Sequence, residues 1–139
     1  MIRALHPEKP KLVVIGNGMA GARLVEDVLA LAPDAFDVTV FGDEPYGNYN
    51  RILLSNVLNG TQDAKEIFLN PLAWYAENGV TLHAGKRVTR IDRDAKTVHA
   101  GELVVPYDYL VFATGSKPFV PPIPGTTLHG VFVFRTLDD

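Results

Sequence analysis

Three glycines, Gly16, Gly18 and Gly21, stand as G-x-G-x-x-G inside the stretch LVVIGNGMAG, residues 12 to 21. Directly after an apolar strand and at the mouth of a helix, each glycine has a separate use. Gly16 permits a tight turn, Gly18 lets backbone approach a pyrophosphate, and Gly21 lets the helix lie close to the strands. The opening residues of that helix, Met19 and Ala20, supply unpaired N–H groups and a partial positive charge that suit phosphate. A carboxylate about 20 residues further on would meet an adenosine ribose. Asp43 and Glu44 stand 22 and 23 residues after Gly21. Such an acid repels a 2′-phosphate and so disfavours NADP. It does not separate NAD from FAD, because both carry the same ADP half. The competing reading is a glycine turn with no ligand.

The elements needed to position these residues are legible around them. Lys11 to Ile15 is a short apolar run with β-branched residues, read as a buried strand. Leu24, Val25, Val28, Leu29 and Leu31 recur at helical spacing, which predicts a helix from Met19 to Leu31 stopped by Pro33. FDVTVF, residues 36 to 41, alternates and is β-rich. Strand, helix and strand make a βαβ unit with two parallel strands. A polar loop then leads into a short helix at 51–58 and a further helix at 71–78 with proline at its first position. Residues 80–84 predict a third strand, and three alternating segments across 87–108 predict an antiparallel meander. YLVFATG, residues 109 to 115, is fully apolar and ends on glycine, so it reads as a central parallel strand. SKPFVPPIPG, residues 116 to 125, has four prolines in ten residues and predicts an extended linker that packs but pairs little. Val131 to Phe134 predicts a last short strand, and residues 1–10 a loose lead-in. The fold class is therefore α/β, a Rossmann-like parallel sheet in which a three-stranded antiparallel meander replaces a crossover helix.

Composition narrows the chemistry. The chain has 139 residues, 47% of them hydrophobic and 21% charged, enough for one domain with a real core. A net charge of -3 and the lack of a basic run argue against nucleic acid as partner. No apolar stretch approaches the ~20 residues of a membrane span, and the N-terminus lacks the apolar run of a signal peptide, so the cytoplasm is the expected compartment. With no cysteine, this chain holds no disulfide, thiolate nucleophile or Cys-ligated metal centre. Its four histidines, His6, His83, His99 and His129, are scattered, and no metal site is expected. Trp74 and Tyr75 lie at helical spacing beside Leu72 and read as core; Tyr46 and Tyr49 flank the polar loop and could line a ligand or simply be exposed.

Taken together, VIGNGMAG, FGDEPYGNYNRILLS, YDYLVFATGSKPFVPPIPG and FVFRTLDD resemble the start of an FAD-dependent pyridine-nucleotide reductase. Within that superfamily, NGMAG, YNRILLS and WYAENGVTLHAG are most similar to the large-subunit family of NAD(P)H-dependent nitrite reductases. Rubredoxin reductases and the ferredoxin reductases of oxygenase systems are more distant likenesses. The resemblance spans residues 11–139. It implies Gly16, Gly18 and Gly21 on the FAD pyrophosphate, Glu44 or Asp43 on the ribose, and Arg51, with Ser55 nearby, toward the flavin. It further implies a backbone contact at Val88 with the adenine, and contacts at Ala113, Thr114 and Gly115, where a strand ends beside the cofactor. Arg135 also matches a family phrase. Ferredoxin-reductase relatives follow the serine with lysine, where this chain has Asn56.

The resemblance also implies what a complete reductase has and this stretch does not. The flavin domain of the superfamily is discontinuous: an NAD(P)H domain is inserted, and a second FAD motif containing Gly-Asp follows. Neither that motif nor cysteines for siroheme and iron–sulfur centres occur here. The expectation is a single FAD-binding domain over 1–139, the first part of a larger reductase, with 116–125 as linker and 126–139 leading into the NAD(P)H domain. Its partners would be FAD and the parent's remaining domains. No residue of the chain is expected to be catalytic, and the chain alone is not expected to turn over. Two other readings stay open: a non-catalytic nucleotide-binding module, and the NAD-binding domain of another dehydrogenase.

Overall fold

A computed structural model describes residues 8–139; the expected lead-in falls mostly on 1–7 and lies outside them. The elements run β1 (Lys11–Ile15), α1 (Met19–Leu31), β2 (Asp37–Phe41), β3 (Asn48–Tyr49), α2 (Leu54–Leu58), β4 (Phe68–Asn70), α3 (Leu72–Glu77) and β5 (Thr81–His83). They continue with β6 (Arg90–Asp92), β7 (Thr97–Ala100), β8 (Leu103–Pro106) and β9 (Tyr109–Phe112). Short 3-10 turns at Arg51–Leu53 and Ala64–Ile67 precede α2 and β4.

Four strands form a parallel sheet in the order β5-β2-β1-β9. β1 lies inside it and is buried on both faces, which explains its unbroken apolar sequence. Its side chains alternate between two cores. Leu12 and Val14 join Val25 of α1, Val38 and Val40 of β2, Tyr75 of α3 and Val80 on one face. Val13 and Ile15 join Phe41, Val98 and Ala100 on the other. The first layer is thus helical, and the second is the meander β6-β7-β8, antiparallel as predicted. Val98 of β7 is fully buried there, a burial worth about 1.5–3 kcal/mol. A third cluster, Tyr49, Leu54 and Ile67, anchors the 48–70 excursion and receives Leu137 from the far end of the chain.

Four expectations require correction. β9 is parallel but stands at an edge of the sheet, with β1 as its partner, and not in the centre. Tyr109 and Phe112 are accordingly exposed. An apolar run reports burial of faces and is silent on whether a second strand pairs along the outer edge. Val131 to Phe134 form no strand, because no neighbouring ladder among the described residues receives their backbone. The proline-rich segment pairs little, as predicted, but does not pack: Phe119 is 85% exposed and Ile123 58%. Pro71 sits at the N-cap of α3 and not at its first helical position, a one-residue difference.

The glycine loop joins β1, α1 and β9 at one point. Gly16 has φ of +113°, outside the range of other residues, and a Cβ there would overlap the Ala113 carbonyl oxygen just past β9. A Cβ on Gly21 would in turn overlap the Gly16 carbonyl. Both neighbours are backbone and cannot step aside. Gly16→Ala and Gly21→Ala are each expected to destabilise the chain by about 1–3 kcal/mol, measured by urea unfolding; a change under about 0.5 kcal/mol would contradict this packing.

Candidate functional site

The loop 16–18 delivers the chain from β1 into α1 with the helix start left open. The N-cap is Gly18, no side chain caps the first turn, and no acid stands in it. The first amides are therefore unpaired by protein side chains and carry the positive end of the helix dipole. A Cβ placed on Gly18 would meet no protein atom within 4 Å. Packing therefore explains the glycines at 16 and 21 but not the one at 18. Met19 and Ala20, the next two residues, are exposed.

Beside the loop lies a cavity of about 140 Å³ lined by Ile15, Gly16, Phe41, Asp43, Lys86, Arg87, Val88 and Thr114. It shares Asp43, Arg87 and Thr114 with a wider groove of about 500 Å³ that continues past Glu44, Arg51, Gly115, Lys117 and Arg135. The cavity sits at the carboxyl ends of β1, β2 and β9, where open α/β sheets place ligands. Lys86, Arg87, Arg51, Lys117 and Arg135 make the combined lining rich in cations suited to phosphate.

The two adjacent acids have different surroundings. Asp43 is exposed, lines both cavities and pairs with Arg87 at 2.6 Å. Glu44 is committed inward: one carboxylate oxygen accepts from the Arg51 guanidinium and the other from the Tyr49 hydroxyl. Arg51 also donates to the Arg135 carbonyl oxygen at 2.9 Å and lies over the Tyr49 ring at 5.2 Å. The Tyr49 oxygen accepts the Leu137 amide at 3.1 Å. Tyr49 is thus a 4%-exposed strut, not an exposed loop residue. Burial, then its bond to Glu44, pushes its phenol well above the ordinary 10. Tyr46 remains at the surface, bonded to Asp138 at 2.6 Å, which raises its phenol too.

Most of the expected positions converge. Gly16, Asp43, Val88 and Thr114 line the smaller cavity, and Asp43, Glu44, Arg51, Thr114 and Gly115 line the groove. Ala113 stands behind the loop, its Cβ 3.3 Å from where a Gly21 Cβ would be. Ser55 is exposed on α2 and lines neither. Sequence reasoning missed Lys86, Arg87 and Lys117. The signal available was a pair of basic residues directly before Val88, on the segment that enters the meander. Among the described residues no cluster of potential metal ligands occurs, and no helix is long and apolar enough to cross a membrane.

Residues 10–139 match the family model of the pyridine nucleotide-disulphide oxidoreductases. The chain is 49% identical over 132 residues to a nitrite reductase [NAD(P)H] of Bacillus subtilis (strain 168), covering 94% of this chain and 16% of that protein. An assimilatory nitrate reductase electron transfer subunit of the same organism is 47% identical over 133 residues, 95% of this chain and 17% of its own length. In a solved covalent putidaredoxin reductase–putidaredoxin complex, a chain superposes with a TM-score of 0.77 at 27% identity, covering 86% of this chain and 29% of that one. The chain thus spans about a sixth of the length of these curated relatives.

The Tyr49 strut has two measurable consequences. Tyr49→Phe removes the acceptor of the Leu137 amide, so that amide is expected to exchange faster with solvent while β1 and β2 amides stay protected. The raised folded value also has a sign: its contribution to stability is present below pH 10 and lost as pH climbs above it. Urea unfolding of wild type is therefore expected to steepen in its alkaline decline above pH 10 relative to Tyr49→Phe. Parallel curves would contradict the buried-phenol assignment.

Proposed function

Because the chain belongs to the pyridine nucleotide-disulphide oxidoreductase family, we propose that it is the FAD-binding portion of an NAD(P)H-dependent flavoprotein oxidoreductase of the nitrite reductase large-subunit type. In this reading it relays electrons from a nicotinamide through FAD to a downstream acceptor. Residues 10–139 form the first part of a discontinuous flavin domain, and 116–125 link it toward an NAD(P)H domain of the parent protein. That parent works in the cytoplasm, and siroheme and iron–sulfur centres, where present, belong to its other parts.

The observation that carries the proposal is Gly18. It stands in open space over an uncapped helix start, next to a cation-lined cavity. Those features suit a pyrophosphate, and the residues present fit the ADP half of FAD. Backbone amides at Gly18, Met19 and Ala20 would hold the phosphates, and Gly16 and Gly21 would keep the loop and helix close enough to aim them. Asp43 is the ribose acceptor of choice, since Glu44 already has two protein donors. Val88 and Thr114 would flank the adenosine, with Ala113 supporting the loop behind them. Arg51, Gly115 and Arg135 line the groove toward the remainder of the cofactor. Ser55, on an exposed helix face, contributes least. When bound, FAD supplies the hydride and electron chemistry, and the protein supplies position and electrostatics.

The meander favours FAD over the NAD-binding domain of another dehydrogenase, where helical crossovers are the rule. A titration of the purified chain with ADP, FAD and NAD, read by calorimetry and by the visible flavin spectrum, tests this. Binding of ADP and FAD in preference to NAD is expected; NAD preferred over FAD would favour the dehydrogenase reading. Gly18→Val is expected to raise the ADP dissociation constant at least ~100-fold with the unfolding midpoint unchanged, and Asp43→Asn to raise it about fivefold to tenfold. Undiminished binding by folded Gly18→Val would refute the phosphate assignment.

A further inference from the structure

Asn17, the residue between the first two glycines, is held from behind by three parts of the chain. Its Oδ1 accepts the Tyr75 hydroxyl of α3 at 2.6 Å. Its backbone oxygen accepts from Asn48 Nδ2 of β3 at 3.2 Å, and its own Nδ2 donates to the Tyr46 carbonyl oxygen at 3.4 Å. Gly42, at the end of β2, makes the room: a Cβ there would stand 3.1 Å from that of Asn17. Tyr75 and Asn48 are each only 1% exposed. Polar groups taken that far from water must be bonded, and both direct a bond to this one residue of the loop.

The loop shape follows from these bonds. The two ends of the loop are set by backbone bonds, the Gly16 amide donating to the Phe41 carbonyl oxygen at 2.8 Å and the Ala22 amide to the Gly18 carbonyl oxygen at 3.0 Å. Between them, Asn17 is bonded through both its side chain and its backbone oxygen, which leaves little freedom for the peptide units on either side. Resting on the nucleotide reading above, we propose that Tyr75 and Asn48 are positioning residues that hold the 16–18 loop in its anion-accepting shape through Asn17. Neither touches the ligand. Their effect is preorganisation: the loop is ordered on folding, so binding a nucleoside diphosphate does not have to supply that ordering. It also gives the excursion between β2 and β5 a role in binding, since β3 and α3 both lie in it.

A purely structural role would satisfy the same buried groups, so the test must read binding in folded protein. The 139-residue chain and its Tyr75→Phe, Asn17→Ala and doubly substituted variants are titrated with ADP by calorimetry. Backbone amide exchange at 17 and 18 is followed in the ligand-free state. Tyr75→Phe keeps the ring in the core and removes only the hydroxyl. The expected result is a dissociation constant raised about fivefold to tenfold in each single variant. The double variant should go no more than about twofold further, as coupled residues do. Amides 17 and 18 should exchange faster in all three. Folded Tyr75→Phe that binds ADP within about twofold of wild type overturns the proposal, whatever its melting temperature. If that variant does not fold, the same result in Asn17→Ala overturns it. A wild-type chain that binds neither ADP nor FAD overturns the nucleotide reading itself, and the positioning role falls with it.

Discussion

Everything around the cavity of this molecule depends on one close approach of backbone to backbone. The turn after β1 passes so near the end of β9 that no side chain fits at Gly16, and α1 starts so near that turn that none fits at Gly21. The ladder runs up to this point: the Ala113 amide donates to Ile15 at 2.8 Å and the Gly16 amide to Phe41 at the same distance. Three strand ends and one helix start are thereby gathered around a single opening.

The cores on the two sides of the sheet keep that opening in place. α1 and α3 cover one face through Val25 and Tyr75, and β7 covers the other through Val98 and Ala100. The excursion between β2 and β5 buries Tyr49, Leu54, Ile67 and Tyr75, and its polar groups also reach the site twice. Tyr75 and Asn48 hold the loop through Asn17, and Tyr49, Glu44 and Arg51 fasten residues 135–137 along the groove. A neighbouring pair of acids is divided between these duties. Asp43, exposed with Arg87, faces the cavity, while Glu44, largely shielded with Arg51, faces the protein. Shielding matters because an ion pair exposed to water contributes little, and one partly removed from water must be well bonded to persist.

The order of elements was readable because each carries a local signal. Alternation marked the meander, helical spacing and Pro33 bounded α1, and the glycines marked the turn. Misreadings occurred where the deciding fact lies outside the segment. YLVFATG has the composition of an inner strand, yet β9 has β1 on one side and no strand on the other among the described residues. Val131 to Phe134 is a β-branched and aromatic run with the composition of a strand, and no ladder among the described residues receives it. Tyr49 looked like a loop residue because its neighbours are polar, and it is buried because Glu44 and Leu137 arrive from elsewhere.

By itself, then, the sequence determined the βαβ unit, the meander and the glycine spacing, since these follow from side-chain period and backbone sterics within a few residues. It offered Asp43 and Glu44 as two candidate carboxylates for the proposed ribose contact and went no further. Only the tertiary structure separated them, by bringing Arg51 and Tyr49 onto one carboxylate and leaving the other at the cavity. It alone also placed Asn48 and Tyr75 behind Asn17, 31 and 58 residues away along the chain. Hydrogen bonds between distant segments leave no period and no local composition to read, because their partners are chosen by packing.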